Sequence, residues 1–372
     1  MSKICVCISC FNCYETRMKG VVEYFNDNHY STKYFISNFN HYDKKYYTVN
    51  YPNTTQIQVP RYAKNLSISR LRSHYVFSKE VFALLKKTKP DVIYCIFPPN
   101  TLVRSVIKYK KITQCKVILD CYDTWPESFP TKRFSKLLSW PFSIWANIRN
   151  RYISEADLIL CVSQVGVDFI KKIAPNTPAK LLMPVIDAQE FLQYNDDTSK
   201  LTFCYLGNIN HITDINLLNL ILKGVAKRKK VCLHIIGEGQ NYLALKELLT
   251  DSGIDVIGHG IVFDIKEKMK IYSLCNLAIN VPKEEIQSTM SLKSVEYISM
   301  GLPFINSAGG DTQCLVENYQ IGINIDKNNL ARTIEQIAIL TPKELRCLHD
   351  NTVYLYNSKF SNCLLYTSPS PR

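Results

Sequence analysis

Short apolar runs rich in β-branched and aromatic residues alternate with segments of helical period from one end of the chain to the other. In the first half the runs are ICVCIS, KYFIS, QIQVP, DVIYCIF, KVILD, DLILCVS and KLLMPV. In the second they are LTFCYLG, VCLHIIG, DVIGHG, LAINV, PFINS and IGINI. They show little polar alternation, as strands do when helices cover both faces of a sheet. Between them, Met18, Val21, Val22 and Phe25 share one face of TRMKGVVEYFNDN. Leu71, Tyr75, Phe82 and Leu85 share one face of SRLRSHYVFSKEVFALLKKTKP, which ends at Pro90. The alternation predicts two doubly wound α/β domains, residues 1–186 and 201–357, joined by the polar linker DAQEFLQYNDDTSK at 187–200. Ligands of open α/β sheets sit at the carboxyl ends of the strands. Two such domains facing each other would form a cleft with a site on each lip.

Charge divides the two halves. Residues 1–185 carry 27 Lys and Arg against 12 Asp and Glu, a net charge of +15, whereas residues 186–372 carry 18 against 20. A basic half beside a near-neutral one points to an anionic partner for the first domain. The basic residues are spread out and form no nucleic-acid-binding motif, which favours an anionic membrane surface over nucleic acid. The apolar stretch after Lys3 is short and broken by Ser9, Asn12 and Glu15, so no export signal is visible, and no apolar run reaches spanning length. Fourteen cysteines in that setting suggest a reducing cytoplasm. The tail CLLYTSPSPR, 363–372, reads as a translated sequencing adapter and is set aside.

Several stretches could carry chemistry. In STMSLKSVEYISMGLPF, Ser288, Thr289 or Ser291 can cap a helix, Gly301 suits the left-handed residue after its last turn, and Pro303 follows. Lys293 and Glu296 share a face near the positive end of that helix, a ready place for a phosphate. After the strand PFINS, Gly309 and Gly310 allow close approach of backbone to a ligand, and Asp311 can cap the next helix. Two capped helices with a surface ion pair would explain the same residues. Cys5, Cys7, Cys10 and Cys13 have the spacing of a metal site. A strand buried on both faces, with Cys5 and Cys7 on one side and Ile4, Val6 and Ile8 on the other, explains them more simply. KRFSKLLSWPFSIWANIRNRY, 132–152, reads either as a core helix kinked at Pro141 or as an amphipathic segment resting on lipid headgroups.

The segment CNLAINVPKEEIQSTMSLKSVEYISMGLPFINSAGGDTQCLVENYQIGINI resembles the donor-binding region of retaining GT-B glycosyltransferases of family 4. In that family a Glu-x7-Glu pattern precedes Gly-x-Pro and Gly-Gly. Glu296 matches the second Glu, which binds the nucleotide ribose, while Ser288 stands where the first Glu would be. The Lys-x-x-Glu-Tyr form is similar to that of a bacterial surface-polysaccharide branch, in which Lys293 would face the donor. FCYLGNIN resembles the family's first donor-domain strand and loop. It assigns Gly207 and Asn208 to the donor, but the loop lacks the Arg and Lys that often grip the diphosphate, and His211 there suits a solvated side chain. IIGEGQ corresponds to a further loop beside the donor. DCYDTWPESFP, 120–130, resembles the branch's Asp-x-Trp-Pro-Glu-Ser segment on the acceptor side and makes Asp123 and Glu127 the catalytic candidates; a structural turn is the other reading.

The resemblance covers residues 1–357. It implies a GT-B glycosyltransferase that retains anomeric configuration and uses no metal or other cofactor beyond its nucleotide-sugar co-substrate. The acceptor would be lipid-linked or a growing glycan in capsule, exopolysaccharide or lipopolysaccharide synthesis. The enzyme would lie on the inner face of the plasma membrane. The donor set is Glu296, Lys293, Ser291, Gly207, Asn208, Gly309, Gly310 and Asp311. A nucleotide-sugar epimerase, which needs no acceptor, and a silent nucleotide-sugar-binding subunit are the competing classes.

Overall fold

The structure, a computed structural model, describes residues 2–41, 43–128, 139–184, 191, 194–283 and 290–360. Ser288, Thr289, Lys132, Arg133, Lys136, residues 187–190 and 192–193 of the linker, and the 363–372 tail therefore lie outside the described residues. The chain forms two compact units that divide between Pro184 and Val185.

The first unit holds a seven-stranded sheet: β1 (Lys3–Ser9), β2 (Tyr30–Ser37), β3 (Thr54–Ile57), β4 (Val92–Phe97), β5 (Lys116–Cys121), β6 (Leu158–Cys161) and β7 (Ala179–Leu181). Its order is β3-β2-β1-β4-β5-β6-β7 and every pairing is parallel. The order reverses between β1 and β4, which is the switch point of a doubly wound sheet. Buried side chains fill both faces, as the unbroken apolar runs require. Val6 and Ile8 point into a core with Phe77, Val81 and Val106, and Cys5 and Cys7 point into the opposite one with Met18, Val21 and Phe25. The opening cysteines are thus strand residues. Eleven of the thirteen described cysteines are partly or fully buried, and Cys314 and Cys347 are exposed. Two strands differ slightly from expectation: QIQVP contributes only its first residues to β3, and KLLMPV only its first two to β7.

The helix α2 (Ile68–Thr88) follows β3, with the Ser67 hydroxyl accepting from the Arg70 amide at 3.2 Å as its cap. The expected inner face is corrected here. Leu71 and Tyr75 are exposed, and the buried stripe is Arg70, Ser73, His74, Phe77, Ser78, Val81 and Leu85. Apolar periodicity fails because the first two turns of this helix bury polar side chains and leave apolar ones in water. In α4 (Ser139–Ile153), Pro141 is the third described residue, and the stretch before it lies outside the described residues.

The second unit repeats the plan with β8 (Lys200–Leu206), β9 (Lys230–Ile236), β10 (Asp255–Gly258), β11 (Leu277–Asn280), β12 (Phe304–Asn306) and β13 (Gly322–Asn324), ordered β10-β9-β8-β11-β12-β13 and all parallel. Its switch point lies between β8 and β11. No helix among the described residues is long and apolar enough to cross a membrane.

One ion pair ties the first unit together. Arg17 is buried and donates from Nε and Nη2 to the two oxygens of Asp120 at 2.7 and 2.9 Å, while Nη1 reaches the carbonyls of Leu182 and Met183. Removing one member of a buried pair leaves the other charge uncompensated, at about 3–5 kcal/mol. Arg17→Met should therefore lower stability by about that amount in urea unfolding, and Arg17→Lys, which cannot bridge both oxygens, should lower it as well.

Candidate functional site

The predicted donor residues converge at the switch point of the second unit. The helix α9 (Leu292–Ser299) follows β11 and lays Lys293 over the end of β8. The Lys293 ammonium donates to the Tyr205 hydroxyl at 2.7 Å and lies 4.2 Å from the centre of that ring. A side chain at Gly207 would meet Lys293 Cε at 3.0 Å, so the lysine stem lies on the glycine loop. Burial lowers the Lys293 pKa to about 8, and among the described residues no carboxylate pairs with it. Glu296 does not bond Lys293, as a helix-surface pair would. Its Oε1 accepts from Lys268 at 2.9 Å and from the Tyr272 hydroxyl at 2.7 Å, both on or beside α8 (Ile265–Tyr272), which leaves Oε2 for another donor.

Tyr297, the last residue of Lys-x-x-Glu-Tyr, explains how α9 is held. Pairing between β8 and β11 stops at Cys204, and the chains diverge. The buried Tyr297 hydroxyl enters the split, accepting from the Leu206 amide at 2.9 Å and donating to the Ile279 carbonyl at 3.4 Å. Gly301 takes φ +70° at the helix end, as its sequence position requires, and the Leu302 amide closes back on the Tyr297 carbonyl at 2.9 Å.

The loop after β8 packs backbone against backbone on the loop after β9. The Gly207 amide donates to Ile236 and the Ile209 amide to Glu238. Gly237 has φ +137°, and a Cβ there would lie 2.3 Å from the Gly207 carbonyl oxygen, so only glycine fits. Asn208 is exposed on this loop, as is His211. Ser291 stands at the cap position of α9, but among the described residues its side chain makes no capping bond. Its amide donates to the Thr312 hydroxyl at 3.4 Å, which sets the start of α9 beside the start of α10 (Asp311–Tyr319). Gly309 and Gly310 are exposed in the turn between. Gly310, at φ +69°, holds the cap position expected of Asp311, and Asp311 becomes the first helical residue. A depression of about 530 Å³ opens beside this turn, lined by Ser307, Gln313, Asp326 and Lys327 among others.

Sequence reasoning missed an asparagine ladder. The strands β11, β12 and β13 each end in Asn, and Asn280, Asn306 and Asn324 pair in register. Asn280 donates to Asn306 at 2.9 Å, Asn306 to Asn324 at 2.9 Å, and Asn324 to Glu317 at 3.2 Å; Asn280 also donates to the Ser294 hydroxyl at 3.2 Å. The chain of bonds runs from α9 to α10. Its signal was the repeated Ile-Asn in LAIN, FIN and GIN.

In the first unit Asp123 and Glu127 lie past the end of β5. Glu127 is held by the buried Arg149, which donates to its two oxygens at 2.7 and 3.0 Å. That geometry fixes the segment and occupies both carboxylate oxygens. Asp123 accepts from the Thr124 amide at 2.7 Å, and burial raises its pKa. Trp125 stacks on His74 and packs on Trp145, so the aromatic residue of this segment is its anchor.

Residues 200–341 match the family described as glycosyl transferases group 1. Similar solved structures cover both units. Sucrose-phosphate synthase from Thermosynechococcus elongatus is 14% identical over 98% of this chain and 96% of its own, with a TM-score of 0.72. WaaG, a glycosyltransferase involved in lipopolysaccharide biosynthesis, is 11% identical over 97% of each chain, with a TM-score of 0.68. HepE from Anabaena, in complex with UDP, is 14% identical over 98% of this chain and 97% of its own, with a TM-score of 0.65; HepE is also solved with UDP-glucose. No curated protein sequence matches. At these identities the likeness is one of fold, and the fold is GT-B, two Rossmann-like domains. With the match in the second unit, it supports a glycosyltransferase.

Tyr297→Phe keeps the ring and leaves the buried Leu206 amide without its acceptor. It should cost about 1–3 kcal/mol in chemical denaturation of the second unit.

Proposed function

We propose that the protein transfers a sugar from a nucleotide-diphosphate donor, bound by the second unit, to a lipid-linked or glycan acceptor bound by the first, with retention at the anomeric carbon. The observation that carries this reading is Lys293: a half-buried ammonium with lowered pKa, no carboxylate partner among the described residues and a helix start beside it. An anion placed there gains a charge-assisted bond and free helix amides. In the reaction, the same groups stabilise the negative charge that grows on the departing diphosphate, without a divalent cation. Glu296, positioned by Lys268 and Tyr272, offers Oε2 to a ribose hydroxyl. The Gly309–Gly310 turn brings exposed backbone to the same end of the sheet. The proposed role lies in surface-polysaccharide synthesis, in line with the fold likeness to WaaG, which is involved in lipopolysaccharide biosynthesis.

UDP is the first nucleotide to titrate, because HepE is solved with it. In calorimetry, Glu296→Gln should lose about 1.5–3 kcal/mol of affinity, roughly ten- to a hundredfold. Lys293→Met should weaken nucleoside diphosphate more than free nucleoside. Because Lys293 is charged only below about pH 8, diphosphate affinity should fall as pH rises through that value, and the fall should vanish in Lys293→Met. Turnover should survive EDTA. Wild-type affinity in both variants would reduce this region to a well-packed helix.

The basic first unit is also proposed to rest on an anionic membrane. Ile68 is 86% exposed, and Leu71 and Tyr75 follow it on the outer face of α2, with Lys64, Arg72 and Lys79 exposed nearby. Apolar side chains flanked by lysine and arginine suit a headgroup layer. Co-sedimentation with anionic vesicles should fall with added salt and in an Ile68→Ser, Leu71→Ser, Tyr75→Ser chain. Binding unchanged by both would overturn this part.

A further inference from the structure

Three arginines of the first unit are buried, and two have carboxylates. Arg17 holds Asp120 through Nε and Nη2, and Arg149 holds Glu127 through Nη1 and Nη2. Arg70 is only 2% exposed and makes no close ion pair among the described residues, although the charge of Asp123 reaches it. Its Nη1 donates to the Asn65 carbonyl at 2.8 Å, while Nε and Nη2 are buried and have no acceptor in hydrogen-bond geometry among the described residues, the Tyr62 hydroxyl acting on the charge without satisfying them. Those two nitrogens form one edge of the guanidinium. It is the same edge with which Arg17 grips Asp120, and the one that receives an oxyanion as a two-bond fork.

The surroundings are built around that edge. The guanidinium carbon lies 4.1 Å from the Trp125 ring centre, 5.7 Å from that of Tyr62 and 5.9 Å from that of Phe11. His74, one turn along α2, is also buried, and neither ring nitrogen has a partner. Phe11 follows β1 and Trp125 follows β5, so the cluster stands at the carboxyl ends of the strands, where open α/β sheets take ligands. Arg70 and Lys44 bring positive charge there, and the carboxylate of Asp123 partly offsets it. Burial, and then Arg70 and Lys44, lower the His41 pKa to about 4. Burial, Arg70 and His41 hold His74 well below its ordinary value, and burial and Arg70 lower Lys44. Asp123 bonds the Thr124 amide and acts on Arg70 through its charge, without a close ion-pair contact among the described residues. Phe11, His41 and Trp125 are half-buried, so the cluster meets the surface through side-chain rings.

We propose that the Nε–Nη2 edge of Arg70 receives a phosphate group of the acceptor, so that the acceptor is a lipid-linked phosphate rather than a neutral glycan. This rests on the glycosyl-transfer reading and names its acceptor class. The lipid source is favoured because the same helix that buries Arg70 and His74 exposes Ile68, Leu71 and Tyr75 on its outer face. The phosphate oxygens accept from Nε and Nη2, and a third oxygen can accept from His74 when its facing nitrogen carries the proton. No bond to phosphorus forms or breaks.

The test uses the full chain carrying Lys293→Met, which removes the amine of the donor site. Geranyl phosphate, methyl glucuronide and methyl glucoside are titrated by calorimetry. Geranyl phosphate should bind saturably, at least about tenfold more tightly than the glucuronide, with no binding of the glucoside. Arg70→Met and Arg70→Lys should each lose about tenfold or more, because lysine cannot supply the fork. Should Arg70 variants fail to fold, the wild-type ring resonances of His74 and Trp125 decide: they should shift on addition of geranyl phosphate and saturate together. No saturable binding, binding undiminished in Arg70→Met, unmoved rings, or preference for the glucuronide (which would indicate an acidic glycan) each overturn the proposal. Failure of UDP to bind the unmodified protein would instead remove the donor reading and leave this result standing.

Discussion

A polar group taken out of water must find a partner, and in a parallel sheet this constraint falls hardest on the carboxyl ends of the strands. There the ladder stops, the chains splay and helices close over what remains. In the second unit the Tyr297 hydroxyl fills the split between β8 and β11, and the row Asn280–Asn306–Asn324 carries hydrogen bonding across three strand ends. In the first, Arg17 with Asp120 and Arg149 with Glu127 do the same by charge. Each device also fixes a helix or loop at the rim. Satisfying the constraint and shaping the site are therefore one process.

Against that pattern, the groups left unsatisfied stand out. Among the described residues, Lys293 has a phenol but no carboxylate, and Arg70 and His74 have buried nitrogens with no hydrogen-bond partner. An orphaned buried donor costs about 1–3 kcal/mol, more when charged, which is a large fraction of the net stability of a domain. Such groups persist when something outside the chain completes them. Each unit keeps its unsatisfied positive groups at the carboxyl end of its own sheet, the ends at which donor and acceptor are proposed to bind.

Much of this was legible in the sequence. Buried parallel strands are nearly continuous apolar runs, so their number and alternation with helices could be read directly, and a glycine at the end of a helix announces its left-handed turn. The donor residues from Ser291 to Asp311 could be grouped because they lie close along the chain. What stayed hidden depends on contacts between distant residues. Arg70 and His74 lie on a polar stripe that periodicity assigns to solvent, and the rings of Phe11, Tyr62 and Trp125 pack against them. The mirror error placed Leu71 and Tyr75 inside. Glu127 looked like a free acid because Arg149, its partner, lies 22 residues on. The cap at the start of α10 fell to Gly310 rather than Asp311 because a glycine with positive φ turns the chain one residue earlier.

The distribution of thiols has a practical side. Burial raises the pKa of most of the described cysteines, with Cys10 and Cys13 pushed up to about 12, and a thiol held in that form is a poor nucleophile. Cys314 and Cys347 alone among the described cysteines are exposed, and both lie in the second unit. Cys314 sits in the first turn of α10, next to the Gly309–Gly310 turn, while Cys347 is on α12 (Pro342–Leu355). The natural chain thus carries an attachment point for a fluorophore or spin label beside its candidate donor loop, and a second on a different helix of the same unit to serve as its reference.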